Sequence, residues 1–397
     1  MITRRTRVGI IGAGPAGLVL ANVLQRSGID CVVVERRTRE RVQEQARAGF
    51  IEQRTVDYLR EQGLSARLDA EAMRHVRCEF RVDGERISVP YGELAGGRAH
   101  HVYPQQLLVR DLVDALVAED EPPLFCHEVV AISGIDGDRP LLSCRRADDH
   151  GSASLQIACD FVAGCDGFHG IARRAPSPGA AREYARRYPF DWLSVLAEVP
   201  PALPEVVYAL HDDGFAGWMP RTTTVSRFYL QVARGDAVAS WPDERIWREL
   251  GERLAADGCA ALTPGPVIEK GTLTMRSALV DPMRHGRLFL AGDAAHILTP
   301  SGAKGMNLAI ADAGALASAL IDHYERDDEQ RLRTYSRTRL DDVWRAQEFS
   351  DWLLALVHAP QTGTADAQFT QQLRLARLAQ LRGSSPQAVA FSHRYVG

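Results

Sequence analysis

Three glycines near the start of the chain have the spacing needed to hold a pyrophosphate. Gly12, Gly14 and Gly17 form Gly-x-Gly-x-x-Gly within "RVGIIGAGPAG", and Glu35 ends the next apolar run, "IDCVVVER". Glycine lets the backbone approach phosphate oxygens, and the start of the following helix favours negative charge. An acidic residue after the second strand can accept hydrogen bonds from ribose hydroxyls. Together these residues predict a dinucleotide site.

A second group of side chains with useful chemistry lies in residues 217–231, "GWMPRTTTVSRFYLQ". Strand-like ends flank three threonines, which predicts a hairpin. With an odd loop, Met219, Arg221, Arg227 and Tyr229 share one sheet face, with Arg221 opposite Arg227 and Met219 opposite Tyr229. The planar guanidinium of Arg221 suits a carboxylate, and a buried arginine needs an anion. An arginine taken alone is more often a surface residue, so the acid site depends on the other motifs.

The composition of the 397 residues excludes several classes of protein. Net charge is −4 and charged residues make up 25% of the chain, which argues against a dedicated nucleic-acid binder. The seven cysteines contain no Cys-x-x-Cys pair, which argues against a metal site and suits reduced thiols in the cytoplasm. The N-terminal apolar run is interrupted by glycines and a proline, and no other run is as long as a membrane span. We expect a cytoplasmic protein that binds neither nucleic acid nor membrane.

The elements that must position these residues alternate at the start of the chain. A strand, a helix from Pro15 to just before Gly28 and a second strand form a βαβ unit. Further helices are predicted over 52–63, 104–118 and 240–256, and strands within 76–91, 123–162 and 180–235. The segment 286–296 repeats the pattern of a buried strand entering a glycine turn. Beyond 303 the pattern is helical to about 381.

This order predicts an α/β fold with a discontinuous Rossmann-like domain. The dinucleotide domain comprises 1–72, 98–177 and 268–347. A β-rich substrate domain, 73–97 and 178–267, is inserted into it, and a helical C-terminal region covers 348–397.

Two further motifs narrow the identity of the dinucleotide. Residues 163–173, "AGCDGFHGIAR", carry Asp-Gly after a strand, and residues 288–310, "LFLAGDAAHILTPSGAKGMNLAI", carry Gly-Asp. With "RAGFIEQ", "RYPFDWL" and the terminal "RYVG", these segments resemble the 4-hydroxybenzoate 3-hydroxylases, a family of group A flavoprotein aromatic monooxygenases. The likeness runs from residue 7 to 397. It implies FAD as the cofactor, and it implies a homodimer.

The resemblance also implies an activity and a role for each matching residue. Such enzymes use NADPH or NADH and O2 to hydroxylate 4-hydroxybenzoate ortho to its phenol, which gives protocatechuate by way of a flavin C4a-hydroperoxide. Residues that match FAD contacts or lie near the flavin are Glu35, Arg47, Gln105, Asp293, Asn307 and Arg227. Substrate contacts correspond to Tyr208 at the phenol, Arg221 and Tyr229 at the carboxylate, and Pro300 and Met219 in the pocket wall. The proton relay corresponds to Tyr208, Tyr395 and His75, with Pro300 beside it. The nicotinamide site corresponds to His169, Arg173 and Arg276.

A tyrosine with a pKa near ~10 works in such a relay as a hydrogen-bonding conduit. A histidine at its far end can pass the proton to solvent near neutral pH. This chemistry predicts that His75 receives the substrate's phenol proton from the two tyrosines.

The chain departs from the family pattern at three positions. Met219 replaces a serine that helps bind the carboxylate, and Gly217 replaces a larger apolar residue, which predicts a vacancy in the pocket wall. Protocatechuate and 4-aminobenzoate therefore remain alternative substrates. Gln45 replaces an arginine that influences nicotinamide binding, although a cluster including Arg36 and Arg47 could receive the 2′-phosphate of NADPH. A flavin redox protein without hydroxylation and a flavin-free nicotinamide dehydrogenase are the alternatives from other functional classes.

Overall fold

The computed structural model describes residues 2–44, 49–148, 154–358 and 365–397. The strands in that part of the chain are β1 (Ile2–Ile11), β2 (Cys31–Val34), β3 (Phe50–Glu52), β4 (Met73–His75), β5 (Cys78–Val82), β6 (Glu85–Val89), β7 (His100–Val102), β8 (His127–Ser133), β9 (Leu141–Arg146), β10 (Leu155–Gly164), β11 (Arg182–Ala197), β12 (Val206–Leu210), β13 (Ala216–Pro220), β14 (Ser226–Ala233), β15 (Val267–Asp281), β16 (Arg284–His285), β17 (Leu288–Leu290) and β18 (His296–Ile297).

The α-helices of the described residues are α1 (Pro15–Arg26), α2 (Arg39–Glu44), α3 (Gln53–Glu61), α4 (Ala66–Glu71), α5 (Tyr91–Leu94), α6 (Gln105–Ala118), α7 (Asp243–Arg253), α8 (Lys304–Arg326), α9 (Gln330–Val357), α10 (Ala365–Ala379) and α11 (Pro386–Val396). The three predicted helical segments 52–63, 104–118 and 240–256 correspond to α3, α6 and α7. In the described part of the chain, no helix is both long and apolar enough to cross a membrane.

A seven-stranded sheet carries the dinucleotide motifs. Its main path has the order β16-β17-β10-β1-β2, and β1 pairs in parallel with both β10 and β2. The four residues of β2 are all buried, as expected for a parallel strand covered on both faces. Helices α1 and α8 pack together against this sheet. The carboxyl ends of β1, β2, β10 and β17 therefore meet at one edge, where a dinucleotide binds in such sheets.

An eight-stranded sheet forms the β-rich part of the molecule, with the order β18-β15-β11-β14-β13-β12-β5-β6. Its pairings are antiparallel except for β12 with β5. One face packs on α7 through a hydrophobic core that includes Leu193, Phe228 and Leu250. The other face is turned toward the dinucleotide sheet. Strand β15 pairs with β11 as far as Asp281, so this sheet continues past the predicted boundary at residue 268.

A three-stranded sheet, β3-β7-β4, lies beside the C-terminal helix α11. Helix α11 follows the segment that was predicted to be helical to about 381. Ser385 caps it by accepting a hydrogen bond from the backbone N–H of Ala388, and Pro386 occupies its first turn. The fold confirms the predicted α/β class with a helical C-terminal region.

Candidate active site

A cavity of about 820 Å³ lies between the carboxyl edge of the seven-stranded sheet and the open face of the eight-stranded sheet. Its wall includes Gly12, Gly14, Glu35 and Asp293 at one end and Tyr208 and Tyr229 at the other. Predicted dinucleotide and substrate residues from distant parts of the chain therefore line one continuous cavity, but Gly17 and Arg221 are not part of its wall.

The glycine turn is shaped to receive a phosphate group. Gly12 has φ +101°, and a Cβ there would lie 2.5 Å from the carbonyl oxygen of Cys165. A Cβ at Gly17 would lie 2.1 Å from the carbonyl oxygen of Gly12, so this glycine lets α1 pack closely on the turn. A Cβ at Gly14 would meet nothing within 4 Å, which leaves space for a ligand. This open cradle before α1 fits the pyrophosphate of FAD.

The carboxylate of Glu35 is held in place at the end of β2. Its Oε2 accepts a hydrogen bond of 2.9 Å from the backbone N–H of Ala13, and its Oε1 accepts one of 2.9 Å from the backbone N–H of Arg37. The side chain is thus fixed next to the glycine turn, where the ribose of a bound dinucleotide would lie. Gln105, the first residue of α6, also lines the cavity.

The Gly292–Asp293 turn is fixed from below by a buried ionic network. One oxygen of Asp312 accepts from the backbone N–H of Gly292 at 2.9 Å and lies 2.6 Å from Nε2 of His296. Its other oxygen accepts from Nε of Arg339 at 2.7 Å. Burial alone would raise the pKa of Asp312, but His296 and Arg339 keep that pKa below its usual range. Asp293 is consequently exposed on the cavity wall.

Asn307, one of the predicted cofactor residues, forms its hydrogen bonds within the protein. Asn307 is fully buried, and it is not part of the cavity wall. Its amide donates to the carbonyl oxygens of Phe50 and Ala303 and accepts from the N–H of Glu52, so it joins α8 to β3. Arg47, like Gln45, lies outside the described residues.

The hairpin has the predicted parity but a different register. Met219 pairs with Arg227, and Gly217 pairs with Tyr229, so the loop contains the five residues 221–225. The predicted pairs of Arg221 with Arg227 and of Met219 with Tyr229 are wrong by two residues. The cause lies in the loop, where the hydroxyl of Thr222 accepts from the backbone N–H groups of Thr224 and Val225. This turn places Arg221 beyond the end of β13.

Side chains of four adjacent strands form the substrate face. Tyr208 pairs with Gly217, Gly217 with Tyr229, and Tyr229 with Ser194, so these residues point to the same side of the sheet. Tyr208 and Tyr229 both line the cavity. The two phenols therefore lie on the same face of the sheet, on either side of Gly217.

The two arginines lie at the hairpin end of this face. Arg227 lines the cavity and donates from Nη1 to the hydroxyl of Ser194 at 2.7 Å, while its Nε and Nη2 are buried without a hydrogen-bond partner among the described residues. Arg221 is 5% exposed. Burial, and then the charge of Arg227, lower the pKa of Arg221 to about 10. Two buried guanidiniums so close together favour the binding of an anion.

The vacancy predicted at Gly217 is filled by a neighbouring ring. A Cβ at Gly217 would lie 2.8 Å from Cζ of Phe215, and Phe215 stacks on Trp192 with centroids 4.8 Å apart. Met219 is 7% exposed and belongs to the same hydrophobic cluster as Tyr208 and Phe215. Trp192, Phe215 and Ser194 were missed by the sequence reasoning. Alternation along 190–197 would have found Trp192 and Ser194.

The two relay tyrosines are in direct contact. The hydroxyl oxygens of Tyr208 and Tyr395 are 2.8 Å apart, and the Tyr208 hydroxyl also lies 3.3 Å from the carbonyl oxygen of Ser301. Burial raises the pKa of both phenols well above the usual value, so both are neutral at pH 7. The pair can therefore pass a proton along its hydrogen bonds without storing charge. Pro300 precedes Ser301 and lines the cavity.

His75 lies nearby, with properties that differ from the expected ones. Its Nδ1 is buried and has no hydrogen-bond partner among the described residues. Burial, and then the charge of His101, lower the pKa of His75 to about 4. The imidazole is therefore neutral at pH 7, and it does not take up a proton near neutral pH as expected for a terminal acceptor.

The predicted nicotinamide residues surround an aromatic ring. The guanidinium carbons of Arg173 and Arg276 each lie 4.2 Å from the ring centroid of Phe168, and His169 contacts that ring edge-on at 5.0 Å. Arg173 is also paired with Glu183 at 2.8 Å. Arg36, His169 and Arg276 line the cavity, whereas Arg173 does not. Phe168 was missed, although it lies within the quoted Asp-Gly motif.

Comparison with known proteins agrees with this geometry. The chain matches the family described as "FAD binding domain" over residues 5–350. It is 38% identical to a p-hydroxybenzoate hydroxylase of Acinetobacter baylyi over 397 residues, which cover all of this chain and 96% of that protein.

Solved structures support the same fold. The p-nitrophenol 4-monooxygenase PnpA from Pseudomonas putida DLL-E4 matches with a TM-score of 0.79 and 20% identity, covering all of this chain and 99% of its own. An aklavinone-11 hydroxylase in complex with FAD and aklavinone matches with a TM-score of 0.75 and 20% identity, covering 91% of this chain and 70% of its own. The fold of this chain is thus shared with these two proteins.

Proposed function

The chain belongs to the group A flavoprotein aromatic monooxygenases and binds FAD, and from this premise we propose that it hydroxylates 4-hydroxybenzoate ortho to its phenol to give protocatechuate. The observation that carries the proposal is the pair of Tyr208 and Tyr395, whose hydroxyls meet at 2.8 Å in the wall of the cavity. The likeness to a p-hydroxybenzoate hydroxylase at 38% identity supports the same acid.

Binding and orientation of the acid are assigned to the two ends of the substrate face. Arg221 and Tyr229 bind the carboxylate, because a guanidinium fork and a phenol can donate hydrogen bonds to its two oxygens. Tyr208 contacts the phenol at the opposite end. The aromatic rings of Trp192 and Phe215 cover the wall beside Gly217 and exclude water from the ring.

FAD, when bound, supplies oxygen activation and the transfer of one oxygen atom to the ring. The residues of the chain prepare the ring for this transfer by removing the phenol proton, because a phenolate is richer in electrons at its ortho carbons. Tyr208 accepts that proton while passing its own to Tyr395, and Tyr395 releases its own proton away from the cavity, so neither tyrosine becomes charged. Glu35, Gln105 and Asp293 are assigned to FAD, with Arg227 near the flavin.

A different para-substituted benzoate is the second candidate. The side chain of Met219, which lies opposite Arg227 and next to the pair of Gly217 and Tyr229, has no hydrogen-bond donor. The ring of Phe215 narrows the space over Gly217. Both features reshape the pocket wall, and they favour an acid such as protocatechuate or 4-aminobenzoate if the carboxylate lies differently. The chemistry at the phenol or amine end would remain the same.

The reductant, the assembly and the location complete the proposal. NADPH is favoured by Arg36 in the cavity wall and by Arg173 and Arg276 beside Phe168, although NADH would fit the same site. A homodimer is proposed from the family likeness alone. A cytoplasmic location is proposed from the seven cysteines, which are all free.

A panel of benzoates tests the activity directly. The FAD-loaded enzyme is given NADPH or NADH with 4-hydroxybenzoate, protocatechuate, 4-aminobenzoate or benzoate as the control without a phenol. Products are identified by chromatography, and peroxide is measured separately. We expect protocatechuate from 4-hydroxybenzoate and none of the hydroxylated acid from benzoate. Peroxide without any hydroxylated product from the whole panel would overturn the proposal.

A further inference from the structure

A row of titratable side chains crosses the three-stranded sheet beside Tyr395. Glu52 of β3 and His75 of β4 each pair with His100 of the central strand β7, so all three point to one face. His101 follows on the same strand and points to the opposite face, where it contacts the amide of Gln53 at 3.1 Å. The row lies under α11, which carries Tyr395.

His100 is fully buried, yet its polar atoms are not satisfied. Neither ring nitrogen has a hydrogen-bond partner among the described residues, although the backbone of Tyr395 is a polar neighbour. A buried polar group without a hydrogen-bond partner destabilises the folded state, because its desolvation is not compensated. Such a cost in a native fold calls for an explanation, which is most often an ordered water or a catalytic role.

Other unsatisfied polar atoms surround the same point. The hydroxyl of Tyr91 and Nδ1 of His75 are also buried without a partner among the described residues. The Tyr91 ring lies 5.5 Å from His100 and 5.0 Å from Tyr395, and His100 lies 4.9 Å from Tyr395. A buried water is stable where two to four polar groups converge. Tyr91, His75 and His100 meet that requirement next to the relay.

We propose that His100 is a proton-carrying residue between Tyr395 and His75, acting through ordered water that Tyr91 and the two imidazoles bind. The inference rests on the proposed function, because it extends the path of the substrate's phenol proton. Tyr395 passes its proton through the water to one ring nitrogen of His100. The other ring nitrogen releases its proton to His75, which in turn releases a proton to solvent, so both imidazoles change tautomer and neither gains a lasting charge.

The electrostatic surroundings of His100 favour passing a proton on rather than retaining it. Lys304 of α8 donates to Glu52 at 2.6 Å and to the carbonyl oxygen of Tyr395 at 2.8 Å, so a buried cation lies on the same side as His100. Burial, and then the charge of Lys304, keep the pKa of His100 well below its usual range. Smaller contributions in the same direction come from His75 on β4 and His101 on β7. A neutral imidazole still has one donor and one acceptor, which is sufficient for a relay.

The test compares three substitutions in the FAD-loaded full chain. His100→Val removes both nitrogens, His100→Asn keeps a donor and an acceptor, and His101→Val removes the neighbouring imidazole from the opposite face. Proton release on mixing with 4-hydroxybenzoate is followed with an indicator dye in a stopped-flow instrument. We expect His100→Val and His100→Asn both to slow release by at least about tenfold, because an amide keeps the hydrogen bonds but cannot change tautomer, with a near-normal rate in His101→Val. Equal rates in His100→Val and the wild type would overturn the inference.

A second arm needs no substrate and separates this inference from the proposed function. Exchange of imidazole N–H protons with water is measured by NMR in enzyme labelled with ¹⁵N-histidine, with the His100 signal assigned by its loss in His100→Asn. A relay through water predicts fast exchange at His100 that slows in His75→Val. Slow exchange in the wild type would overturn the water path. Fast exchange together with no proton release by the wild type would instead contradict the assignment of 4-hydroxybenzoate.

Discussion

Tyr208 and Tyr395 come from strand β12 and helix α11, and their hydroxyl oxygens meet at 2.8 Å. The pair is buried and neutral, so its function depends on hydrogen bonding rather than on ionisation. At the other end of the substrate face, Arg221 remains cationic because burial lowers its pKa only to about 10. In the proposed function, Arg221 serves carboxylate binding and the two tyrosines serve proton transfer.

Tyr208→Phe removes one hydroxyl from the relay. We expect hydroxylation of 4-hydroxybenzoate to fall by about 10²-fold or more, because the phenol loses its first proton acceptor. FAD binding is expected to be unchanged, since Tyr208 lies at the far end of the cavity from the glycine turn. Product formation in single turnovers measures the effect, and flavin absorbance after gel filtration provides the control. Unchanged product yield and rate would contradict the relay.

Arg221→Ala tests the carboxylate end of the pocket. Loss of a charged hydrogen bond is expected to weaken binding of 4-hydroxybenzoate by ~1.5–3 kcal/mol, which is roughly 10- to 150-fold in Kd. Flavin fluorescence during titration with the acid measures it. Arg248→Ala is the matched control, because Arg248 lies on α7 with its side chain 60% exposed. An unchanged Kd in Arg221→Ala would show that the carboxylate binds elsewhere.

At the scale of elements, the hairpin and the Gly292–Asp293 turn position these residues. The hairpin's register is set by its five-residue loop, and that register puts Met219 beside Arg227. The turn is set by Asp312 of α8, which connects Gly292, His296 and Arg339. In both elements, residues outside the cavity wall fix the backbone that carries the residues of the wall.

Met219→Ser introduces a hydroxyl on β13 opposite Arg227, next to the cross-strand pair of Gly217 and Tyr229. We expect 4-hydroxybenzoate to bind about fivefold more tightly, because a new hydrogen bond contributes about 1 kcal/mol. Met219→Ala is the matched control, since it removes the thioether and adds no donor. Titration of the two variants with 4-hydroxybenzoate and 4-aminobenzoate makes the comparison. Equal affinities of the serine and alanine variants would show that the hydroxyl does not reach the carboxylate.

Asp312→Asn tests the buried ionic network that supports the Gly292–Asp293 turn. The amide cannot compensate the buried guanidinium of Arg339, so the turn that carries Asp293 is expected to loosen. We expect the Kd for FAD to rise about tenfold, as for the loss of one charged hydrogen bond. Asp342→Asn is the control. Asp342 also accepts a hydrogen bond from Arg339, at 2.5 Å, but it is only half-buried and lies away from the turn. Similar FAD affinity in both variants would contradict a specific role of Asp312.

For the whole molecule, buried histidines link stability to pH. Burial lowers the pKa of His358 to about 3 and, with His101, that of His75 to about 4, both from 6.5. His358 accepts a hydrogen bond from Nε1 of Trp192 at 2.6 Å and donates from Nδ1 to the carbonyl oxygen of Leu354 at 2.9 Å. It therefore joins the end of α9 to the substrate sheet, and this junction requires a neutral imidazole.

The sign of the pH dependence follows from proton binding. Between pH 6.5 and 4 the unfolded chain binds protons at these histidines and the folded chain does not, so the free energy of unfolding falls as the pH falls. Each histidine contributes up to ~1.4 kcal/mol per pH unit. Urea unfolding at pH 7, 6 and 5 measures this slope. We expect a smaller slope in His358→Gln and an unchanged one in His393→Gln, whose side chain is exposed. Identical slopes in all three proteins would contradict the assignment to His358.

The sequence by itself determined the dinucleotide turn, the fold class and the parity of the hairpin. These properties depend on local rules, since glycine spacing, strand alternation and helix periodicity act over a few residues. Gly12, Gly14 and Glu35 could therefore be predicted as dinucleotide contacts from residue types and spacing alone, whereas Asp293 required the family resemblance. The resemblance to a family supplied Tyr208, Tyr395 and Arg221, which no local pattern distinguishes from packing or surface residues.

Only the tertiary structure decided the register, the filled space at Gly217 and the protonation states of the histidines. The register depends on a hydroxyl of Thr222 inside the loop, and the filled space depends on the position of the Phe215 ring. His75 and His100 are neutral because strands, α8 and α11 together remove them from water. Burial and charge pairing depend on contacts between residues that are distant along the chain, and for that reason local sequence patterns do not reveal them.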